Sequence, residues 1–170
     1  VTMAYDPEKM DMEKSLAVAV KAEEEAADVY RRLKNKVNNF VIRDKLDFLI
    51  GEEEKHKKIV LNLFERLFPE RELEIPDDSF VPHFKGSVKD DTSVLDLFKF
   101  AMRSELKSKE FYQKMAQKTD DNSAVEILNY LAGMEQGHYT LLEGEYKICE
   151  ANEEYYGRDD FEYDMVHIGP

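Results

Sequence analysis

The sequence predicts an all-α protein, a four-helix bundle made of two helical hairpins joined by a long crossover. Three observations carry that prediction. Apolar residues recur at three and four positions through four segments, residues 11–36, 40–68, 93–118 and 123 to beyond 150, which is the period of helices that each bury one face. Strand-like alternation is nearly absent. The second half of the chain also repeats the first without a gap at an offset of 82, pairing Ala19 with Ala101, Glu23 with Glu105, Tyr30 with Tyr112, Leu49 with Leu131, Gly51 with Gly133, Glu53 with Glu135 and His56 with His138.

The first helix carries an apolar stripe of Leu16, Ala19, Val20, Ala26, Ala27, Tyr30 and Leu33. Val37-Asn38-Asn39 then breaks the pattern and offers a short turn followed by an N-cap. Leu46, Leu49, Ile59, Val60 and Leu63 form the stripe of the second helix. From Pro69 to about Asp91 the prolines at 69, 76 and 82 and Gly86 forbid a continuous helix. Fully extended, that connection reaches on the order of 70 Å, whereas a helix of this size is about 40 Å long. It is long enough to traverse the bundle, as a simple up-down-up-down path would not require. The third helix repeats the first with Phe98, Ala101, Met102, Tyr112 and Met115, and the fourth repeats the second with Leu128, Leu131, Leu141 and Leu142 after a turn at residues 119–122. Residues 1–156 are assigned to the bundle, and the tail 157–170 shows no pattern beyond what packing on the bundle or on a partner subunit would need.

Composition narrows the function. With 42% apolar and 36% charged residues over 170 positions, the chain has the balance of one soluble globular domain. The first twenty residues are charged in their middle and lack the signature of a secretory signal, so the expected location is cytoplasmic. A net charge of −13 disfavours nucleic acid and anionic membrane as partners. The single cysteine, Cys149, excludes an internal disulfide and any cysteine pair for zinc or an iron–sulfur centre. A metal held here must therefore be held by oxygen and nitrogen.

Each apolar stripe is interrupted by acid. Glu23 fills a gap in the first, Glu53 and His56 in the second, Glu105 in the third, Glu135 and His138 in the fourth. Glu23 and Glu53 have their midpoint on Asn38, and Glu105 and Glu135 on Asp120. Both midpoints fall in turns placed independently, so the four acids belong at one level of the core. Buried, unpaired carboxylates cost several kcal/mol each, so something cationic must lie among them. Two divalent cations supply four positive charges, and neutral His56 and His138 complete the coordination.

The two Glu-x-x-His elements and two Glu-x6-Tyr elements (Glu23 with Tyr30, Glu105 with Tyr112) resemble the rubrerythrin branch of the ferritin-like di-iron carboxylate proteins over roughly residues 14–148. The resemblance implies a ferritin-like bundle holding two iron ions, with manganese suited to the same donors. It implies Glu23 and Glu105 as terminal ligands, Glu53 and Glu135 as bridging carboxylates, and His56 and His138 as one nitrogen ligand per ion. Tyr30 and Tyr112 would donate to carboxylates of other helices. The implied activity is reduction of hydrogen peroxide or dioxygen, with a homodimer as the expected assembly. Rubrerythrins usually carry a four-cysteine rubredoxin-like domain that one cysteine cannot make, which calls for an external redox protein as electron donor. They also place a glutamate one turn after the third-helix ligand, where this chain has Ser108. A ferroxidase or an iron- or manganese-sequestering protein is the alternative, and a metal-free structural bundle the plainest one.

Glu24, Glu25, Glu52 and Glu54 read as solvated surface, and the methionines at 102 and 115 as core. Cys149 lies about 16 Å along the axis beyond His138, too far for a ligand, and also reads as core. His83 and His167 read as surface groups, with Asp164-x-x-His167 a weak second metal candidate.

Overall fold

In the computed structural model, which describes residues 5–81, 92–152 and 154–157, four helices account for the bundle: α1 (Met12–Lys34), α2 (Phe40–Leu67), α3 (Val94–Gln117) and α4 (Asn122–Ala151). Each begins at a side-chain cap. Asp11 accepts the Lys14 amide of α1 at 2.8 Å, Asn39 the Ile42 amide of α2 at 3.1 Å, Ser93 the Asp96 amide of α3 at 3.0 Å, and Asp121 the Ala124 amide of α4 at 2.7 Å. Each cap satisfies one of the amides that a helix start leaves without a partner. A 3-10 turn at Pro7–Lys9 precedes α1, and another at Tyr155–Gly157 follows α4.

Cross-helix bonds give the topology. Tyr30 donates to Glu105 and Tyr112 to Glu23, so numbering falls along α3 as it rises along α1. The pairs Lys45–Glu145 and Arg66–Asp121 show the same opposition between α2 and α4. The short turns make α1 antiparallel to α2 and α3 antiparallel to α4, which leaves α2 and α3 parallel. The intervening chain must therefore run the length of the bundle, as the long crossover requires. Its described part, residues 69–81, lies along the first and third helices. Arg71 pairs with Glu13, Ser79 donates to Glu25 at 2.5 Å, and the Phe80 ring stacks on Phe111 at 4.4 Å. Residues 82–91, with His83, and the tail from 158, with Asp164 and His167, lie outside the described residues.

The core divides in two. One apolar cluster takes Leu16, Val20, Val60, Leu63, Met115 and Leu128, and the other takes Leu33, Ile42, Leu46, Leu97, Phe98 and Leu142. Along every helix the predicted acid falls between the two. Burying a residue such as Leu46 or Leu128, each at most 1% exposed, contributes roughly 1.5–3 kcal/mol. The polar layer thus lies between two buried apolar clusters.

Candidate metal centre

Helical registry brings six side chains to the middle layer: Glu23 from α1, Glu53 and His56 from α2, Glu105 from α3, Glu135 and His138 from α4. All are buried, none more than 3% exposed. The spacing of three in Glu53-x-x-His56 and Glu135-x-x-His138 sets each acid and ring on one face of its helix.

The contacts fall into two matching sets. His56 Nδ1 lies 3.1 Å from Glu135 Oε1, 3.4 Å from Glu53 Oε2 and 3.8 Å from Glu23 Oε2. His138 Nδ1 lies 3.1 Å from Glu53 Oε1, 3.3 Å from Glu105 Oε2 and 3.6 Å from Glu135 Oε2. Glu53 and Glu135 thus turn one oxygen toward each histidine, while Glu23 and Glu105 each face one. The two imidazoles stack at 5.1 Å with 12° between their planes.

Separations of this size suit ligands that would share an ion. With metal–ligand bonds of about 2.1 Å, neighbouring corners of an octahedron stand about 3.0 Å apart, and those of a tetrahedron somewhat further. The hydrogen-bonding pattern agrees. Both oxygens of Glu53, Oε2 of Glu105, Nε2 of His56 and both nitrogens of His138 are buried without a hydrogen-bond partner. Atoms within bonding distance but not aimed at one another are what convergence on a common point produces. Glu53, His56, Glu135 and His138 each offer a ligand atom within 4.8 Å of the others. Orphaned buried acceptors cost about 1–3 kcal/mol each, more when charged. Two divalent ions would remove that cost, and the donor set fits them.

Electrostatics without metal point the same way. Burial pushes the Glu53 carboxyl up, and the charges of Glu105 and Glu23 add to this, to about 8. Burial and the Glu135 charge raise Glu105 to about 8. For Glu23 burial also acts upward, but its contacts with His56 and Glu53 and the Tyr112 hydroxyl outweigh it, and the net shift is downward. Burial opposes charge on His138, yet Glu105, Glu135 and Glu53 hold its proton up to about 12. His56 is raised in the same way by Glu135, Glu23 and Glu53. In the metal-free protein the two imidazolium rings supply the cations that the carboxylates demand.

Tyr30 and Tyr112 are 1% exposed and donate to Glu105 and Glu23, each from one repeat to the acid of the other. Burial and the adjacent carboxylates raise both phenols well above their ordinary range, so they remain protonated donors. Ser108, one turn past Glu105, is buried.

Three acids depart from the sequence expectation of a solvated surface. Glu52 is buried rather than solvated, at 8% exposure, because it lies on the flank of the Leu49–His56 face and is held by Lys55 at 2.5 Å. Glu25 is half-buried under Ser79 of the crossover. Glu24 is half-buried and paired with Lys57, whereas Glu54 is exposed. Sequence reasoning also missed Glu145, 3% exposed and paired with Lys45. Its signal was available, since Glu145 interrupts the stripe from Leu142 to Cys149 two turns beyond His138. Cys149 is buried, and burial followed by the Glu145 charge raises its thiol to about 11.

A four-helix bundle with one long crossover and a carboxylate–histidine layer of this composition is the ferritin-like fold with a donor set fitted to a di-iron carboxylate site. The chain belongs to the rubrerythrin family, whose sequence profile matches residues 14–146. A solved structure, "Hypothetical Protein Pfu-1136390-001" from Pyrococcus furiosus, is similar at 28% identity and a TM-score of 0.78, covering 86% of this chain and 94% of that one. No curated protein matches the chain. Among the described residues no helix is long and apolar enough to cross a membrane.

Proposed function

We propose that the protein is a di-iron carboxylate oxidoreductase that reduces hydrogen peroxide, with electrons from an external redox protein. The observation that supports this most is the split of Glu53 and Glu135 between two histidines. Two ions would then be held with Glu53 and Glu135 common to both and with His56 and Glu23 on one and His138 and Glu105 on the other. Two iron ions bound there would supply the two electrons that cleave the O–O bond, and with two protons the peroxide leaves as two waters. Manganese suits the same donors.

The chain's own groups do the rest. Tyr30 and Tyr112 orient the terminal carboxylates and stay protonated. The apolar clusters on both sides exclude bulk water, which strengthens every electrostatic interaction in the layer. Stopped-flow mixing of the reduced, iron-loaded protein with peroxide tests the reading. Oxidation by peroxide faster than by dioxygen is the expected result, and equal or slower oxidation contradicts it.

Ser108 supports a second reading. With a serine where rubrerythrins usually carry a further glutamate, the layer holds one carboxylate fewer to support redox-linked movement of an ion. That favours a ferroxidase or an iron- or manganese-binding protein, in which the metal is cargo. Metal that leaves the site after oxidation separates this reading from the first. The cytoplasmic location and the homodimer belong to the same proposal.

A further inference from the structure

The internal repeat allows the two approaches to the centre to be compared position by position, and they are not alike. Between α1 and α2 a groove of about 520 Å³ runs from the exposed side chains of Asp28, Arg31 and Glu54 down to Glu23 and Glu53. Its inner end holds Glu53, 1% exposed, with both oxygens lacking a hydrogen-bond partner. Lys57 and Glu24, each about one-third exposed, pair at 2.5 Å across it.

At an offset of 82 the partners of Glu24 and Lys57 are Leu106 and Tyr139. On that side, between α3 and α4, the depression is smaller, about 310 Å³, and its walls include Leu106 and Tyr139 but neither Glu105 nor Glu135. Lys109 of α3 donates to Gln136 of α4 at 2.8 Å. One approach is rich in acids and reaches Glu23 and Glu53, whereas its pseudo-symmetric counterpart carries no acid, is lined by Met102, Leu106 and Tyr139 with the basic Lys99 and Arg103, and stops short.

We propose that divalent cations reach the centre through the α1–α2 groove, and that the Lys57–Glu24 ion pair is its gate. The inference rests on the metal-binding reading above. The chemistry selects a cation over an anion. Acids outnumber bases along the groove, Glu23, Glu24, Asp28, Glu53 and Glu54 against Arg31, Lys57 and Lys58, and Arg31 is engaged with Asp28 at 2.7 Å and Glu54 at 3.0 Å and Lys57 with Glu24, while at the inner end the Glu53 oxygens accept no hydrogen bond. An arriving cation exchanges water for carboxylate oxygen at each step, as a hard divalent ion requires. The gate is weak, because a solvent-accessible ion pair of this kind is held by roughly 0.2–1 kcal/mol.

The repeat supplies the test. Apo-protein is mixed with Co²⁺ in a stopped-flow spectrometer, and uptake is followed by the visible absorption of the bound ion. The double variant Glu24→Leu/Lys57→Tyr carries the apolar residues of the other side, and uptake is expected to slow at least about tenfold with an unchanged final spectrum and affinity. Lys57→Gln alone, a mild surface change, removes the gate and is expected to accelerate uptake and weaken its salt dependence. Wild-type rates in both the double variant and Lys57→Gln overturn the proposed route while leaving the metal centre intact. Failure of the wild-type protein to take up Co²⁺ at all overturns the metal-binding reading itself, and the route with it.

Discussion

Tyr30 of the first repeat donates its hydroxyl proton to Glu105 of the second, and the reciprocal bond runs from Tyr112 to Glu23. The two hairpins therefore hold each other's buried acids, Glu105 and Glu23. Removing either phenol leaves a buried carboxylate oxygen with one donor fewer. Tyr30→Phe and Tyr112→Phe are each expected to cost about 1–3 kcal/mol of stability and to weaken metal binding about 10–100-fold. Chemical denaturation and chelator competition measure the two effects. A variant with wild-type metal affinity would mean that the phenols only fill space.

Acidity offers a second check. In the folded metal-free chain Glu53 and Glu105 keep their protons up to about 8, against an ordinary value of 4.5. A carboxyl that binds its proton more tightly when folded stabilises the fold fully below its unfolded pKa, and that stabilisation is lost as pH rises through the folded pKa. His56 and His138, raised from 6.5, act in the same direction above that pH. Stability of the metal-free protein is expected to fall from about pH 5 to about pH 8. Metal affinity is expected to rise over the same interval, because these protons must leave before the ligands bind. Thermal melts with and without metal across that range show both trends. A metal-free melting temperature that climbs toward pH 8 contradicts the assignment of these carboxyls.

Replacing Glu53 by glutamine keeps the shape and removes a buried acid. At about pH 8 the metal-free variant is expected to be more stable than the parent by roughly 1–3 kcal/mol, since the unfolded parent has released the Glu53 proton at that pH while the fold still holds on to it. The same variant is expected to bind fewer than two ions. Denaturation of the apo-proteins, with metal analysis of the loaded ones, tests the exchange of stability for binding. Loss of stability without metal would count against the electrostatic account.

The Lys45–Glu145 pair lies in the second half of the core, and Oε2 of Glu145 has no hydrogen-bond partner. Lys45→Met strands that acid and is expected to cost about 1–3 kcal/mol, less than a fully buried pair would because Lys45 reaches water. Glu145→Leu should cost less than Lys45→Met, and the double variant less than Lys45→Met alone. Urea denaturation of the three proteins decides the order.

Much of this architecture could be read from the residues because two kinds of spacing agreed. The helices at 12–34, 40–67, 94–117 and 122–151 fall within a few residues of the periodic segments. The midpoints on Asn38 and Asp120 placed Glu23, Glu53, Glu105 and Glu135 at one level, where the structure has them. What was not readable depended on neighbours distant in the chain. Glu52 stands beside two other glutamates, and only the packing of α2 separates its burial from the exposure of Glu54. Glu25 is covered by Ser79 of the crossover, a contact that no helical period contains. The difference between Glu24–Lys57 and Leu106–Tyr139 was visible in the aligned repeats, but its meaning required knowing that one groove reaches Glu53 and the other does not.

Anomalous scattering at the iron and manganese edges, from a crystal of the protein purified without added metal, addresses the metal centre most directly. The account predicts two peaks about 3.5–4 Å apart between Glu53 and Glu135, one beside His56 and the other beside His138. Density with no anomalous signal in that layer, or the six side chains turned outward to solvent, would contradict it.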